Sequence, residues 1–213
     1  MSDVYEDLAR LGSTTVYEAR GRKGLLDVDL IPVIPGAKVA GPIRTVLCGQ
    51  DDNRGVHELC AHIRPGEIAV LAMPESRPVA LIGDLLVTQL QANGAVAILT
   101  GSSVRDVDTL REMGLPIWAR WVRARGAGKD VRGRVDAQVT IGGASMATGD
   151  VIVLDDDGGT VIPAAKVDEA VELGLAREEK ERGLRERWRR GELSYDVYGF
   201  RSQDEGELQW TSQ

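Results

Sequence analysis

Residues 78–99 read PVALIGDLLVTQLQANGAVAIL. Pro78–Ile82 is apolar and stops at Gly83-Asp84. Leu85–Asn93 spaces its apolar residues as a helix does and ends at Gly94, a residue that helix C-termini favour because it tolerates positive φ. Ala95–Leu99 is a five-residue apolar run, the length of a buried strand. Strand, helix and strand in close succession predict an α/β segment with parallel pairing.

The same rhythm extends on both sides. Downstream, Thr100-Gly101-Ser102-Ser103 reads as a loop, and Asp106 opens a helix closed by Gly114-Leu115-Pro116. Ile117–Ala119 is the next short strand. Upstream, Ile68–Ala72 reads as a buried strand and Asn53–Cys60 as a short helix. Lys38–Leu47 reads as a strand bent at Gly41-Pro42. Val4, Leu8 and Leu11 predict a first helix, with Ser13 or Thr14 capping a second over Val16–Ala19. From Val135 the period falls to two, and turns at Gly142-Gly143, Gly149-Asp150 and Asp155–Gly159 predict hairpins. Pro163 ends that β-rich segment, and Ala164–Arg190 reads as a charged helix. The expectation is one α/β domain over 1–213, its polar tail from 191 packing on a neighbouring subunit.

Composition bounds the function. The chain has 213 residues, of which 43% are hydrophobic, enough for a core without metals or disulfides. A net charge of −7 weighs against a basic nucleic-acid binder. No apolar run reaches the ~18 residues of a membrane span. The opening MSDVYEDLAR lacks a signal-peptide pattern, so a cytoplasmic protein is expected. Cys48 and Cys60 read as free thiols, and two histidines, His57 and His62, limit any multi-histidine metal site.

Four features could carry chemistry. Asp155-Asp156-Asp157-Gly158-Gly159 lacks the ligand spacing of a calcium loop and suits a hairpin turn. Neither Gly83-Asp84 nor Thr100–Ser103 matches a nucleotide-binding glycine motif, although each feeds a helix N-terminus able to hold a carboxylate. The Arg177–Arg190 stretch places Glu178, Glu181 and Glu186 four residues before Arg182, Arg185 and Arg190, the signature of a solvated ion-paired helix. Asp84 and Asp106 each follow a strand and open a helix. If those strands are neighbours, both aspartates and Arg105 meet in one cleft, and two carboxylates there can hold Mg²⁺ or Mn²⁺. The alternative is two N-caps and a surface arginine.

Asp84, twenty residues, then Arg105-Asp106 resembles the D-X20-R-D signature of the 4-hydroxy-4-methyl-2-oxoglutarate / 4-carboxy-4-hydroxy-2-oxoadipate aldolases, relatives of the regulator of ribonuclease activity A. Arg20-Gly21, Gly41-Pro42, Asp52-Asn53 with His57, Arg64–Glu67, Gly149-Asp150 and Val161-Ile162-Pro163 resemble further landmarks of that family. The resemblance implies a swivelling β/β/α fold, a homotrimer or homohexamer, a small oxo-acid substrate, no nucleic-acid or membrane partner, and a divalent metal, Mg²⁺ or Mn²⁺. It implies that Asp106 binds the metal, that Asp84 holds it through water, and that Arg105 contacts the C2 oxygen. The backbone N–H groups of Leu85 and Leu86 would receive the substrate carboxylate, and Glu181 (or Glu178) of a neighbouring subunit would complete the site. The reaction implied is cleavage of 4-hydroxy-2-oxo acids to pyruvate, with oxaloacetate decarboxylation as a side activity. The alternatives are a decarboxylase without the aldolase role and a non-enzymatic inhibitor of a ribonuclease. Thr100–Ser103, Trp121 and Thr148 depart from the family pattern. No lysine lies near these strand ends in sequence, which gives a Schiff-base aldolase no support.

Overall fold

The computed structural model describes residues 4–210, with side chains through 205. The last three residues of the tail considered above lie outside this range. The chain falls into two compact units, divided between Gly174 and Leu175.

The first unit is a mixed α/β structure built on a nine-stranded sheet. Its central strands are β2 (Val39–Leu47), β3 (Ile68–Ala72), β5 (Ala97–Val104) and β6 (Ile117–Val122). These lie side by side in the order β6-β5-β3-β2, all parallel. The short β4 (Ala80–Ile82) also pairs in parallel with β5. The antiparallel flank is β10 (Val151–Asp155) and β11 (Gly158–Ile162), with β10 against the start of β2. β1 (Ile31–Pro32) closes the far edge on β6, and β7 (Arg134–Val135) pairs with the end of β2. A separate hairpin joins β8 (Val139–Ile141) to β9 (Ala144–Met146).

The bend in β2 has a pairing cause. Val39–Pro42 pairs with β10, whereas Ile43–Leu47 pairs with β3, so Pro42 sits where the strand changes partner and a missing N–H is tolerated. Strict alternation then sorts the core. Ala69 and Leu71 of β3 face one layer, with α2 (Arg54–Cys60), α3 (Asp84–Ala92) and α4 (Val107–Met113) supplying Val56, Leu59, Leu86, Val87, Leu90 and Leu110. Ile68, Val70 and Ala72 face the other, with Trp118, Ile141, Met146, Ile152 and Leu154. A third cluster packs Leu8, Leu11 and Val16 of α1 (Val4–Ala19) on Val151 and Val153. Each fully buried aliphatic side chain contributes about 1.5–3 kcal/mol.

Thr100–Ser103 is strand, not loop, because β5 continues to Val104. Two of its three buried hydroxyls find partners: Ser102 Oγ donates to the carbonyls of Arg77 and Val79 at 2.8 and 2.6 Å, and Thr100 Oγ1 accepts the Ser102 N–H at 3.2 Å, whereas Ser103 Oγ has none among the described residues. The acidic turn is also structural. Asp155 accepts from the Ser13 N–H and hydroxyl, Asp156 from the Gly36 N–H, and Asp157 from the Thr14 hydroxyl. Ser13 is thus tied across the fold beside the break at Gly12, whose φ of 82° interrupts α1.

Helix α5 (Val167–Arg189) starts in the first unit, where Ala170 and Gly174 are buried, and continues into the second. In the second unit Glu181 pairs with Arg177 at 2.8 Å and Arg185 at 2.9 Å. Arg182 pairs with Glu179 and Glu186, and Arg190 with Glu192, so the ion pairing of this helix extends beyond the Glu-before-Arg spacing. The tail is helical, with α6 (Ser194–Val197) and α7 (Phe200–Trp210). No helix among the described residues is long and apolar enough to cross a membrane.

Candidate active site

Strands β4 and β5 are hydrogen-bonded neighbours, with Ile82 beside Val104, and the Arg105 N–H donates to the Ile82 carbonyl at 3.2 Å. Both strands therefore deliver their carboxyl ends to one place, where ligands of open α/β sheets bind. Asp84 opens α3 directly after β4, and Arg105-Asp106 follows β5. The Asp84 N–H faces Asp106 Oδ2 at 3.4 Å, and Arg105 Nε lies 3.4 Å from the same oxygen.

A side-chain cap does not describe Asp106. Asp106 occupies the N-cap position of α4 but makes no side-chain cap bond, and its backbone is left-handed (φ 60°, ψ 36°). Such a conformation is uncommon outside glycine, although Asp and Asn tolerate it best. It turns the carboxylate away from its own helix and toward the start of α3. Gly83 makes this approach possible: a Cβ there would stand 2.3 Å from Asp106 Oδ2 and 3.0 Å from Arg105 Nε.

Helix α3 presents first-turn N–H groups at Asp84, Leu85 and Leu86, which have no acceptor within the helix. The Leu85 N–H is taken by Asp84 Oδ1 at 2.8 Å, so of the two expected carboxylate donors Leu85 is engaged by its neighbour. Leu85 is 79% exposed and Leu86 is buried.

Around this point lies a cavity of about 100 Å³, lined among others by Asn53, His57, Gly83, Asp84, Arg105 and Lys129. It is smaller than the ~300–1,000 Å³ of a drug-sized site. Asn53 donates to the Leu81 carbonyl at 3.0 Å, while its buried Oδ1 has no hydrogen-bond partner among the described residues. A buried unpaired acceptor of this kind costs about 1–3 kcal/mol.

Lys129 is a lining residue that proximity in sequence does not reveal. It is remote from the strand ends in sequence, yet the connection between β6 and β7 brings it to the cavity. It is exposed, however, and a Schiff-base lysine is usually activated by desolvation. Asp52 anchors the segment carrying Lys129. Burial alone would raise the Asp52 carboxyl, but N–H bonds from Arg54, Val131 and Asp130, with the Arg54 charge, hold it below its ordinary value.

Glu181 lies in the second unit, paired with arginines as described, in a groove with Leu184, Trp188 and Tyr198. Among the described residues no three His, Cys, Asp or Glu side chains form a metal cluster. Asp84 and Asp106 nonetheless suit Mg²⁺ or Mn²⁺, since hard octahedral ions take one or two carboxylates and keep waters or substrate oxygens elsewhere. The absence of a side chain at Gly83 keeps a Cβ from filling the space 2.3 Å from Asp106 Oδ2.

The profile of the RraA-like family (aldolase/RraA) matches residues 2–161. The chain belongs to this family. A Halalkalibacterium halodurans protein assigned as a 4-hydroxy-4-methyl-2-oxoglutarate aldolase is 26% identical over 161 residues, 76% of this chain and 77% of that protein. Among solved structures, Streptomyces coelicolor RraAS2, an unusual member of the RNase ES inhibitor RraA family, superposes with a TM-score of 0.75 at 27% identity. The match covers 87% of this chain and 96% of RraAS2. The RNA-processing inhibitor RraA of Thermus thermophilus shares the fold at 21% identity and a TM-score of 0.62, over 71% and 92% of the two chains. The RraA-like fold thus holds both an aldolase assignment and inhibitors of RNA processing, and the residues at the strand ends must discriminate.

Proposed function

We propose that this RraA-like protein is a divalent-metal-dependent aldolase that cleaves 4-hydroxy-2-oxo acids to pyruvate and a second oxo acid. The observation that carries the reading is the meeting of Asp84, Arg105 and Asp106 at the carboxyl ends of two paired parallel strands, beside a small cavity. Asp106 would hold Mg²⁺ or Mn²⁺ directly, and Asp84 through water. When bound, such an ion would act as a Lewis acid on the C2 carbonyl.

The chain's own groups supply the remainder. The N-terminus of α3, with Leu86 its open donor, orients the C1 carboxylate. Arg105, at the end of β5, receives the negative charge that gathers on the C2 oxygen as the C3–C4 bond breaks. A preorganised donor of this kind is typically worth about 3 kcal/mol. Asp84, and Glu181 supplied by a neighbouring copy in a trimer or hexamer, accept the C4 hydroxyl proton through an ordered water. That proton loss turns C4 into the carbonyl of the second product, the C3–C4 electron pair forms pyruvate enolate, and protonation at C3 gives pyruvate. Oxaloacetate would lose CO₂ by the same electron flow. The two buried free cysteines suit a reducing cytoplasm.

The test couples pyruvate release to lactate dehydrogenase across 4-hydroxy-2-oxo acids and oxaloacetate, with Mg²⁺, Mn²⁺ or EDTA. Metal-dependent pyruvate release lost in Arg105→Ala is the expected result. Turnover that survives metal removal overturns the mechanism. Absence of turnover on every substrate favours the second reading, a ribonuclease-inhibiting binder, which the likeness to RraAS2 supports.

A further inference from the structure

We propose that Asp52 is a positioning residue that sets the cavity wall opposite Asp84 and Arg105 by clamping the segment that carries Lys129. Two stretches form that wall. One is the start of α2, with Asn53 and His57; the other is the connection between Val122 and Arg134, with Ala127 and Lys129. That connection has no helix or strand from 123 to 133, so its position rests on isolated bonds to neighbouring segments.

Asp52 lies at the seam and is 3% exposed. Its Oδ1 accepts the Arg54 N–H at 2.8 Å, while Oδ2 accepts the Asp130 N–H at 2.7 Å and the Val131 N–H at 3.1 Å. Two of its three bonds therefore cross to the other wall rather than serve its own helix. Backbone bonds close the seam on the opposite side of Lys129: Gly128 N–H to the Asp51 carbonyl and Asn53 N–H to the Gly128 carbonyl, both 2.9 Å. Lys129 is thus held by clamped residues at both neighbours. The approach is close on both sides of the seam. A Cβ at Gly128 would lie 3.0 Å from Asp52 Oδ2, and one at Gly49 would lie 2.5 Å from the Val131 side chain. Lys129, His57 and Arg105 then present three basic side chains to one small cavity.

The kinetic arm of the test rests on the aldolase reading; the exchange arm does not. Asp52→Asn replaces one acceptor oxygen with an amide that faces N–H donors, at unchanged size. In the full-length protein, hydrogen exchange at 128–131 should accelerate by at least about tenfold while β3 and β5 keep wild-type protection. With oxaloacetate and Mg²⁺, KM should rise about tenfold with kcat little changed. In a Lys129→Ala background the same substitution should add almost nothing, because coupled residues are non-additive. Unchanged exchange at 128–131 overturns the proposal. So does an equal KM increase with and without Lys129, which marks Asp52 as a stability residue only. If Asp52→Asn does not fold, Gly128→Ala crowds the same carboxylate without removing it, and the same two readouts decide. If the wild type releases no pyruvate, the aldolase reading fails and the exchange result alone decides the clamp.

Discussion

Gly83→Ala separates the candidate site from the stability of the fold. Gly83 has φ −146° and ψ −168°, extended backbone that alanine adopts without strain. The added methyl would stand 2.3 Å from Asp106 Oδ2, 3.0 Å from Arg105 Nε and 3.1 Å from Arg105 Cγ. Ordinary contact begins near 3.4 Å, so the Asp106 carboxylate must retreat by about 1 Å. It can, because the Asp106 and Arg105 side chains are 39% and 48% exposed and free to swing toward solvent. The stability cost is therefore small, and restricting the unfolded chain returns about 0.4–1 kcal/mol. A displacement of about 1 Å at a reacting centre typically costs on the order of 100-fold in rate. The expected result is an unchanged or slightly raised Tm, with pyruvate release down about 100-fold and weaker Mg²⁺ affinity by calorimetry. Turnover within about threefold of wild type would show that Asp106 and Arg105 do not sit at the reacting centre.

Asp106→Asn keeps a side chain that tolerates left-handed backbone while removing the charge, so it should abolish Mg²⁺ binding and pyruvate release without lowering Tm; retained Mg²⁺ affinity would remove Asp106 from the metal site. Borohydride added during turnover should leave activity intact, because an exposed Lys129 is not built for a Schiff base; trapped pyruvate on Lys129, seen by mass spectrometry, would reverse that assignment. Burial pushes the Cys48 thiol up to about 12, with the Asp52 charge adding to the rise, and burial pushes Cys60 up to about 11. With both values above the working pH the thiols stay protonated, so at pH 8 only about 1 in 10,000 of Cys48 is thiolate, and iodoacetamide should label neither cysteine until the protein is unfolded. If Glu181 serves a neighbour's site, mixing Glu181→Gln with Asp106→Asn subunits should restore about a quarter of wild-type activity, and no recovery would place Glu181 elsewhere.

What the sequence made legible was local. Gly83, Gly94 and Gly114-Leu115-Pro116 punctuate strand and helix, and the elements fall where that punctuation puts them. Thr100–Ser103 misled because small hydroxylated residues read as loop; only the fold brings the Arg77 and Val79 carbonyls to Ser102. The D-X20-R-D spacing singled out three residues that the fold brings together, but no spacing shows that β4 lies beside β5. That depends on the register of Ile82 against Val104, a non-local pairing. Lys129 is the sharper case. Its segment has neither helical nor strand period, and its place is set by a carboxylate seventy-odd positions upstream through backbone donors that every residue carries. Side-chain periodicity reports which face of an element is buried, and so it locates strand ends and the groups on them. A wall held by main-chain hydrogen bonds leaves almost no mark on side-chain pattern, except the glycines where a side chain of a neighbouring segment comes too close for a Cβ. Gly49, Gly83 and Gly128 are such marks, and each borders the cavity or the clamp behind it. Glycines that crowd side chains rather than turn the chain are therefore the sequence signal most worth testing for a site assembled from irregular segments.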